Sequence, residues 1–253
     1  MGIAYFRQKT LEDALNLLRL PNKVPLAGGT YLTSNKSNTN DLVDLQDLDL
    51  NVLAKKEHGI EIGAMVRLQQ LLDSTIFPDA FQNAVKLEIP INLRNSASMA
   101  GLIIKCDGRS PIATSLLAMD SSIILEPGHE SVSLSDFLTS RRYKLHNHLI
   151  TSIKLQSINF FSFQYVARTK FDRPIVCVAL SKFLNGGTWL AIGGFGDHPI
   201  LLCKEDNLNS LPLTARNAVC SADDEWASSD YRSAIVEILT ERCLAQLPSS
   251  TET

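Results

Sequence analysis

The chain has 253 residues, 45% of them hydrophobic and 20% charged, and a net charge of -3. That is enough apolar chain for two modest globular domains with cores of their own, and the near-neutral balance supplies no basic face for a nucleic-acid backbone or an anionic membrane. No apolar run approaches the roughly 20 residues of a membrane-spanning helix, and the opening MGIAYFRQKT lacks the basic-then-apolar layout of a signal peptide. The expectation is a cytoplasmic protein without a nucleic-acid or membrane partner.

In chain order, IAYFRQ predicts a strand, and Thr10 with Asp13 forms an imperfect capping box that opens a helix carrying Leu11, Ala14, Leu15 and Leu18 on one face. KVPLA is a short buried strand that runs into Gly28-Gly29-Thr30. DLVDLQDLDL holds the next strand, and IEIGAMV a further one that passes into a helix at RLQQLLDS, in a βαβ-like order. Helices are expected around DAFQNAVKLE and SPIATSLLAMD, with LRNSASMAGLIIKCDGR between them as a polar segment of small residues suited to close backbone approach. DRPIVCVALSKFLNGGTWLAIGGF reads as antiparallel strands joined by an Asn-Gly-Gly hairpin, GGFG at 193–196 as a bulged strand end, and DYRSAIVEILTERCLAQL as an amphipathic helix.

VPLAGGTYL, residues 24–32, carries the first chemical suggestion. A glycine pair permits φ above zero and removes Cβ atoms, so successive N–H groups can converge on an anion while Thr30 adds a hydroxyl. A plain Gly-Gly turn with nothing bound accounts for the same residues. The stretch is neither a P-loop nor a dinucleotide fingerprint, because no Gly-Lys-Ser/Thr and no G-x-G-x-x-G follows.

Other chemistry finds little support. The five cysteines, Cys106, Cys177, Cys203, Cys220 and Cys243, form no CxxC pair and are odd in number, which argues against a cluster or a disulfide framework and reads them as small buried hydrophobes. His146 and His148 lack a third ligand and read as a solvated pair. Ser110 and Ser152 lack a nucleophile-elbow context, and GHE at 128–130 lacks a second zinc-binding histidine. No catalytic residue and no metal ligand is assigned.

Over nearly its whole length the sequence resembles the FAD-binding medium subunit of molybdenum hydroxylases, the xanthine dehydrogenase and carbon monoxide dehydrogenase type. LAGGTYL is similar to that family's L-A-G-G-T-[DN]-L pyrophosphate loop, and LRNSASMAG stands where the family has I-R-N-x-G-T-I-G-G-N. SPIATSLLAMDSSI resembles its S-P-A-A-D segment, VSLSDFLTS its acidic-aromatic turn, and HLITSIKL the strand that closes the FAD domain. RTKFDRPIVCVAL, LAIGGFGDHPI and DDEWASSDYRSAIVEILTERCL follow in the order of the family's C-terminal domain.

The resemblance implies an α+β protein: a PCMH-type FAD-binding domain of two subdomains over residues 1–156, a smaller C-terminal α+β domain with an antiparallel sheet over 157–248, and a disordered tail at 249–253. It also implies the cofactor, FAD, and two partners, a 2Fe-2S iron–sulfur subunit and a molybdopterin-binding large subunit. By position in the motifs, the FAD contacts are Ala27, Gly28, Gly29, Thr30, Tyr31 and Leu32 in the first loop and Ser98, Ala100 and Gly101 in the second, with Thr114, Ile150 and Tyr165 beyond them.

Several of these depart from the pattern. Tyr31 replaces a short polar residue, Ala100 adds a Cβ to a glycine position, Leu102 replaces an asparagine, Thr114 replaces an aspartate, and Tyr165 stands where many relatives have lysine. Each lost partner of a buried polar group costs about 1–3 kcal/mol, so two such losses weaken FAD by about a hundredfold. IIKCDGRSPIAT carries three extra residues relative to the family, and its Lys105 and Arg109 either pair with phosphate or stay solvated. Arg168 and Asp172 agree with the family and suit an intrachain ion pair. Three readings follow: an FAD-binding electron-transfer subunit, a flavin-free homologue serving in structure or assembly, and a free-standing flavin oxidoreductase.

Overall fold

The computed structural model describes residues 3–34, 39–170, 172–184, 187–204 and 208–248. The elements run β1 (Tyr5–Arg7), α1 (Leu11–Leu18), β2 (Lys23–Leu26), α2 (Thr30–Ser34), β3 (Asp41–Asp44), β4 (Leu53–Lys56), β5 (Gly59–Gly63), α3 (Leu68–Asp73), α4 (Asp79–Glu88), α5 (Ile91–Arg94), α6 (Met99–Lys105) and α7 (Pro111–Ala118). Then come β6 (Ser122–Glu126), β7 (Glu130–Ser133), α8 (Leu134–Lys144), β8 (Leu149–Gln156), β9 (Ile158–Val166), β10 (Val176–Phe183), β11 (Thr188–Gly193), β12 (Ile200–Lys204), α9 (Leu211–Ala218) and α10 (Ser229–Ala245). This is an α+β fold.

Two compact units divide the chain: Met1–Ser74, Pro90–Lys105 and Ser122–Lys154 form the first, and Thr75–Ile89, Cys106–Ser121 and Leu155–Thr253 the second. Compactness therefore groups α4 and α7 with the C-terminal strands and does not follow the chain at residue 156.

In the first unit β1, β3 and β2 make a parallel sheet with β3 in the middle. Thr10 caps α1, its side chain accepting from the N–H of Asp13 at 3.2 Å, and the apolar face this start sets up packs Ala14, Leu11, Leu15 and Leu18 against Val43 and Leu45. The expected strand, helix and strand are all present. A five-stranded sheet of order β4-β5-β8-β6-β7 completes the unit.

The second unit is built on the antiparallel sheet β12-β11-β10-β9. Val176, Val178 and Leu180 of β10 pack with Leu211, Ala215, Val236 and Leu239 of α9 and α10, while the alternate residue Cys177 faces Thr114 of α7. A strand covered on both faces has no polar side, which is why VCVAL is continuously apolar. The expected hairpin joins β10 and β11, although its turn residues Asn185 and Gly186 lie outside the described residues, as does the tail 249–253.

Four local expectations are corrected. The segment expected to be polar between α4 and α7 contains α6, and the stretch expected as an acidic-aromatic turn contains α8. Both helices start from a serine that caps: Ser98 accepts from the N–H of Gly101 at 3.3 Å and Ser133 from that of Asp136 at 3.1 Å. The strand β11 ends at Gly193, and its register shift falls at Leu190/Ala191, not within 193–196. Cys106, Cys177 and Cys243 are buried, but Cys220 is exposed in the turn that ends α9, and the side chain of Cys203 lies outside the description.

Candidate functional site

The first glycine loop leaves the parallel sheet at the carboxyl end of β2, where ligand sites of such sheets lie. Gly29 has φ +71° and its carbonyl accepts from both the N–H and the hydroxyl of Thr33 at 2.9 Å, so the chain turns directly into α2. The N–H groups of a helix's first turn have no intrahelical acceptor, and here they belong to the residues that follow the glycines. Gly28 is fixed by crowding: a Cβ there would collide with the carbonyl oxygen of Ser96 and stand 3.0 Å from both Ala97 Cα and Arg67 Nη1.

That crowding brings the two sequence-derived loops together. Residues 66–68 run antiparallel to 97–99, with Leu68 N–H donating to Ala97 O at 3.1 Å and Met99 N–H to Val66 O at 2.9 Å. Ala100 N–H donates to Ala64 O at 3.0 Å, Gly101 N–H to the Ser98 hydroxyl at 3.3 Å and Leu102 N–H to Ser98 O at 3.0 Å. All four amides from Met99 to Leu102 thus have protein acceptors. Ala100 is buried, and its methyl group occupies a position the family leaves to hydrogen.

Two cations stand at this crossing. Arg67, half-buried ahead of α3, donates from Nη1 to Ser96 O. Lys105, the last residue of α6, holds Nζ 3.7 Å from the ring centroid of Tyr31, a cation–π distance. Tyr31 is 49% exposed, so its ring lies at the surface beside the loop. Arg67 was not singled out from the sequence, where its only mark is a charge inside the otherwise uncharged run AMVRLQQLL.

Ile150 lies in the same unit, buried in β8 opposite Leu125. Thr114 and Tyr165 belong to the second unit. Thr114 is buried and its hydroxyl is engaged, donating to Ser110 O at 2.8 Å and accepting from Cys177 Sγ at 3.6 Å. Tyr165, on β9, is exposed and stacks on Phe163 with centroids 5.9 Å apart.

Asp107–Arg109, part of the stretch expected to carry the insertion, are bonded within the second unit. Asp107 pairs with Arg173, Gly108 N–H donates to Gly196 O at 2.9 Å, and Arg109 donates to the carbonyls of Arg173 and Pro174 at 2.8 and 3.0 Å while facing the Trp226 ring at 4.0 Å. Arg109 is therefore not a solvated loop charge. Arg168 lies over the same ring at 4.4 Å and makes the expected pair with Asp172 at 3.8 Å. Behind this stretch, the buried Glu88 accepts from the Ser110 hydroxyl at 2.7 Å and from Ile112 N–H at 3.1 Å at the start of α7. Burial pushes its carboxyl above the ordinary value, against the opposing pull of Arg173 and these two donors.

In the LHNHL stretch His146 is exposed and its carbonyl is 2.9 Å from His148 Nδ1. Among the described residues no group of three His, Cys, Asp or Glu is placed to hold a metal, and no helix is long and apolar enough to cross a membrane. The residues present fit a diphosphate on the first-loop side: a turn that excludes Cβ, a short helix start and flanking cations.

The family profile described as "FAD binding domain in molybdopterin dehydrogenase" matches residues 1–155. YgfM of Escherichia coli K12 is 26% identical over 243 residues, covering 93% of this chain and 92% of its own. The glyceraldehyde dehydrogenase medium chain of Sulfolobus acidocaldarius is 25% identical over 274 residues, covering 96% and 98%. Among solved structures, reconstituted CO dehydrogenase from Oligotropha carboxidovorans superposes with TM-score 0.82 at 18% identity over 97% of both chains. Quinoline 2-oxidoreductase from Pseudomonas putida 86 gives 0.79 at 16% identity over 97% and 96%. The two structures share the fold. With the profile covering more than half of the chain and the glycine loop inside it, the chain belongs to the family of FAD-binding domains of molybdopterin dehydrogenases, whose cofactor is FAD.

Proposed function

We propose that this chain is the FAD-binding electron-transfer subunit of a cytoplasmic molybdenum hydroxylase, with residues 1–156 as its FAD domain and 157–248 as its C-terminal domain. The observation that carries the reading is the crossing at Gly28, where a loop that tolerates no Cβ meets the second family motif. When bound, FAD accepts electrons from the iron–sulfur clusters of a partner subunit and passes them to an acceptor, the redox chemistry being the cofactor's own. The chain's residues hold it: Gly28, Gly29 and Thr30 present backbone N–H groups and a hydroxyl to the diphosphate, Tyr31 and Leu32 flank them, Ser98, Ala100 and Gly101 close the opposite side, and Ile150 of the same unit is a further contact, whereas Thr114 and Tyr165 are candidates by their place in the family motifs alone. Substrate hydroxylation belongs to a molybdopterin-binding large subunit, in keeping with a chain to which no catalytic residue is assigned.

The test is the FAD content and affinity of the purified chain, alone and coexpressed with candidate iron–sulfur and molybdopterin subunits. Stoichiometric FAD and copurification of all three chains are expected; absence of FAD in every setting sinks the reading. One observation favours a second reading, a flavin-free subunit that serves assembly: the amides of Met99, Ala100, Gly101 and Leu102 are all committed inside the protein. A three-chain complex that forms and turns over without flavin on this chain is the result that selects it.

A further inference from the structure

The cations at the crossing, Arg67 and Lys105, share one property with Lys9, Arg19 and Lys55 of the same unit: they enter no ion pair among the described residues. Arg7, Lys23 and Lys144 of that unit are each matched to a carboxylate, Asp47, Asp41 and Glu130. Arg67 spends one N–H on the Ser96 carbonyl, and that same Nη1 is 3.0 Å from the Cβ position of Gly28. Lys105 rests on the face of Tyr31, the residue that follows Gly28-Gly29-Thr30.

We propose that Arg67 and Lys105 are the cations that neutralise the diphosphate of the bound dinucleotide in this chain. The proposal rests on the FAD reading and adds to it two residues that lie outside both glycine motifs. A diphosphate in a loop pair of this kind needs either N–H donors from both sides or positive charge. Here the four amides from Met99 to Leu102 are taken by Ala64, Val66 and Ser98, so those four are not open to a phosphate oxygen. A guanidinium keeps further N–H groups in its planar fork after one carbonyl bond, and an ammonium parked on an aromatic face can leave it for a phosphate oxygen. Tyr31, which replaces the family's short polar residue, then serves to hold Lys105 beside the loop while the site is empty.

The consequence is a dependence on phosphate and on salt that amide-only recognition lacks. Flavin-fluorescence titrations with FAD and with riboflavin, at low and high salt, read it directly in the full-length chain. Arg67→Gln and Lys105→Gln are each expected to weaken FAD by about tenfold to a hundredfold, to flatten the salt dependence, and to leave riboflavin binding unchanged. Lys105→Arg keeps the charge and is expected to restore most of the affinity. Because Arg67 also holds the Ser96 carbonyl, its variant is accompanied by a thermal melt, and Lys105→Gln, at an exposed helix end, carries the test if Arg67→Gln does not fold. FAD affinity of Lys105→Gln within twofold of the parent overturns the proposal while leaving the FAD reading in place. So does a parallel loss of FAD and riboflavin in both variants, which marks a structural role. A parent chain that binds neither FAD nor ADP under any condition overturns both.

Discussion

The two glycine-bearing loops that meet at Gly28 have taken opposite courses. The first, Ala27–Leu32, keeps the backbone that a bound anion requires: φ +71° at Gly29, no room for a side chain at Gly28 and a helix start immediately after. The second, Ser98–Leu102, keeps the path of the chain but has turned inward, with each amide from Met99 to Leu102 bonded to protein and Ala100 packed out of solvent. Two loops that resemble one family's motifs thus use their backbone groups differently, and the residue letters alone do not distinguish the two conditions.

The contrast is open to attack, most heavily at the crossing. Gly28→Val forces a side chain into the Ser96 carbonyl, and FAD affinity is expected to fall by a hundredfold or more, about 2.7 kcal/mol, by fluorescence titration; an unchanged affinity removes the crossing from the site. A second experiment compares the starts of the successive helices α6 and α7, both capped by serine but only the latter backed by the buried Glu88. The Glu88 carboxyl is held above its ordinary 4.5 by burial, so in the interval above 4.5 the folded chain binds more protons than the unfolded one. Stability therefore declines as pH rises through that interval, by at most about 1.4 kcal/mol per pH unit. Denaturant midpoints measured against pH are expected to show this slope in the parent and lose it in Glu88→Gln.

Smaller effects sharpen the picture of the second loop. Ser98→Ala removes the cap of α6 and is expected to cost about 1 kcal/mol in chemical unfolding. Restoring the family residues with Ala100→Gly and Leu102→Asn is expected to change FAD affinity by less than about threefold, because the backbone donors stay tied to Ala64 and Ser98 whatever the side chains. A large gain in affinity from that pair of substitutions contradicts the inward-turned description.

Much of the architecture was legible wherever pattern and burial coincide. Thr10 announced α1, the unbroken VCVAL run announced a strand covered on both faces, and the glycine pair announced the loop. The illegible parts depend on distant partners. Helices α6 and α8 are short and begin in serine-rich segments that read as loop until the caps are seen. Two amides of the second loop, those of Met99 and Ala100, are taken by the carbonyls of Val66 and Ala64 far back in the chain, a pairing no local pattern announces. Arg232, in the helix whose sequence predicts an amphipathic face, is fully buried. Its donors are taken by the carbonyls of Ile175, Ala222, Ala227 and Gly194 and by Asp224, which satisfies every N–H of the guanidinium. In the same way Thr114, a candidate contact by its place in the family motif, and Arg109, which the sequence leaves between phosphate and solvent, make their visible bonds within their own unit.

The interleaving of the two units bears on how the chain is made. Every residue of α7, from Pro111 to Ala118, is buried, and the strands it packs against, β10 and β11, begin only at Val176. On the ribosome, at about 5–20 residues per second, this helix, buried along its whole length in the finished fold, emerges several seconds before those strands are synthesised. The nascent chain thus passes through a stage with an adhesive segment in the open, a stage that chaperone capture and translation speed can influence although neither touches the finished site.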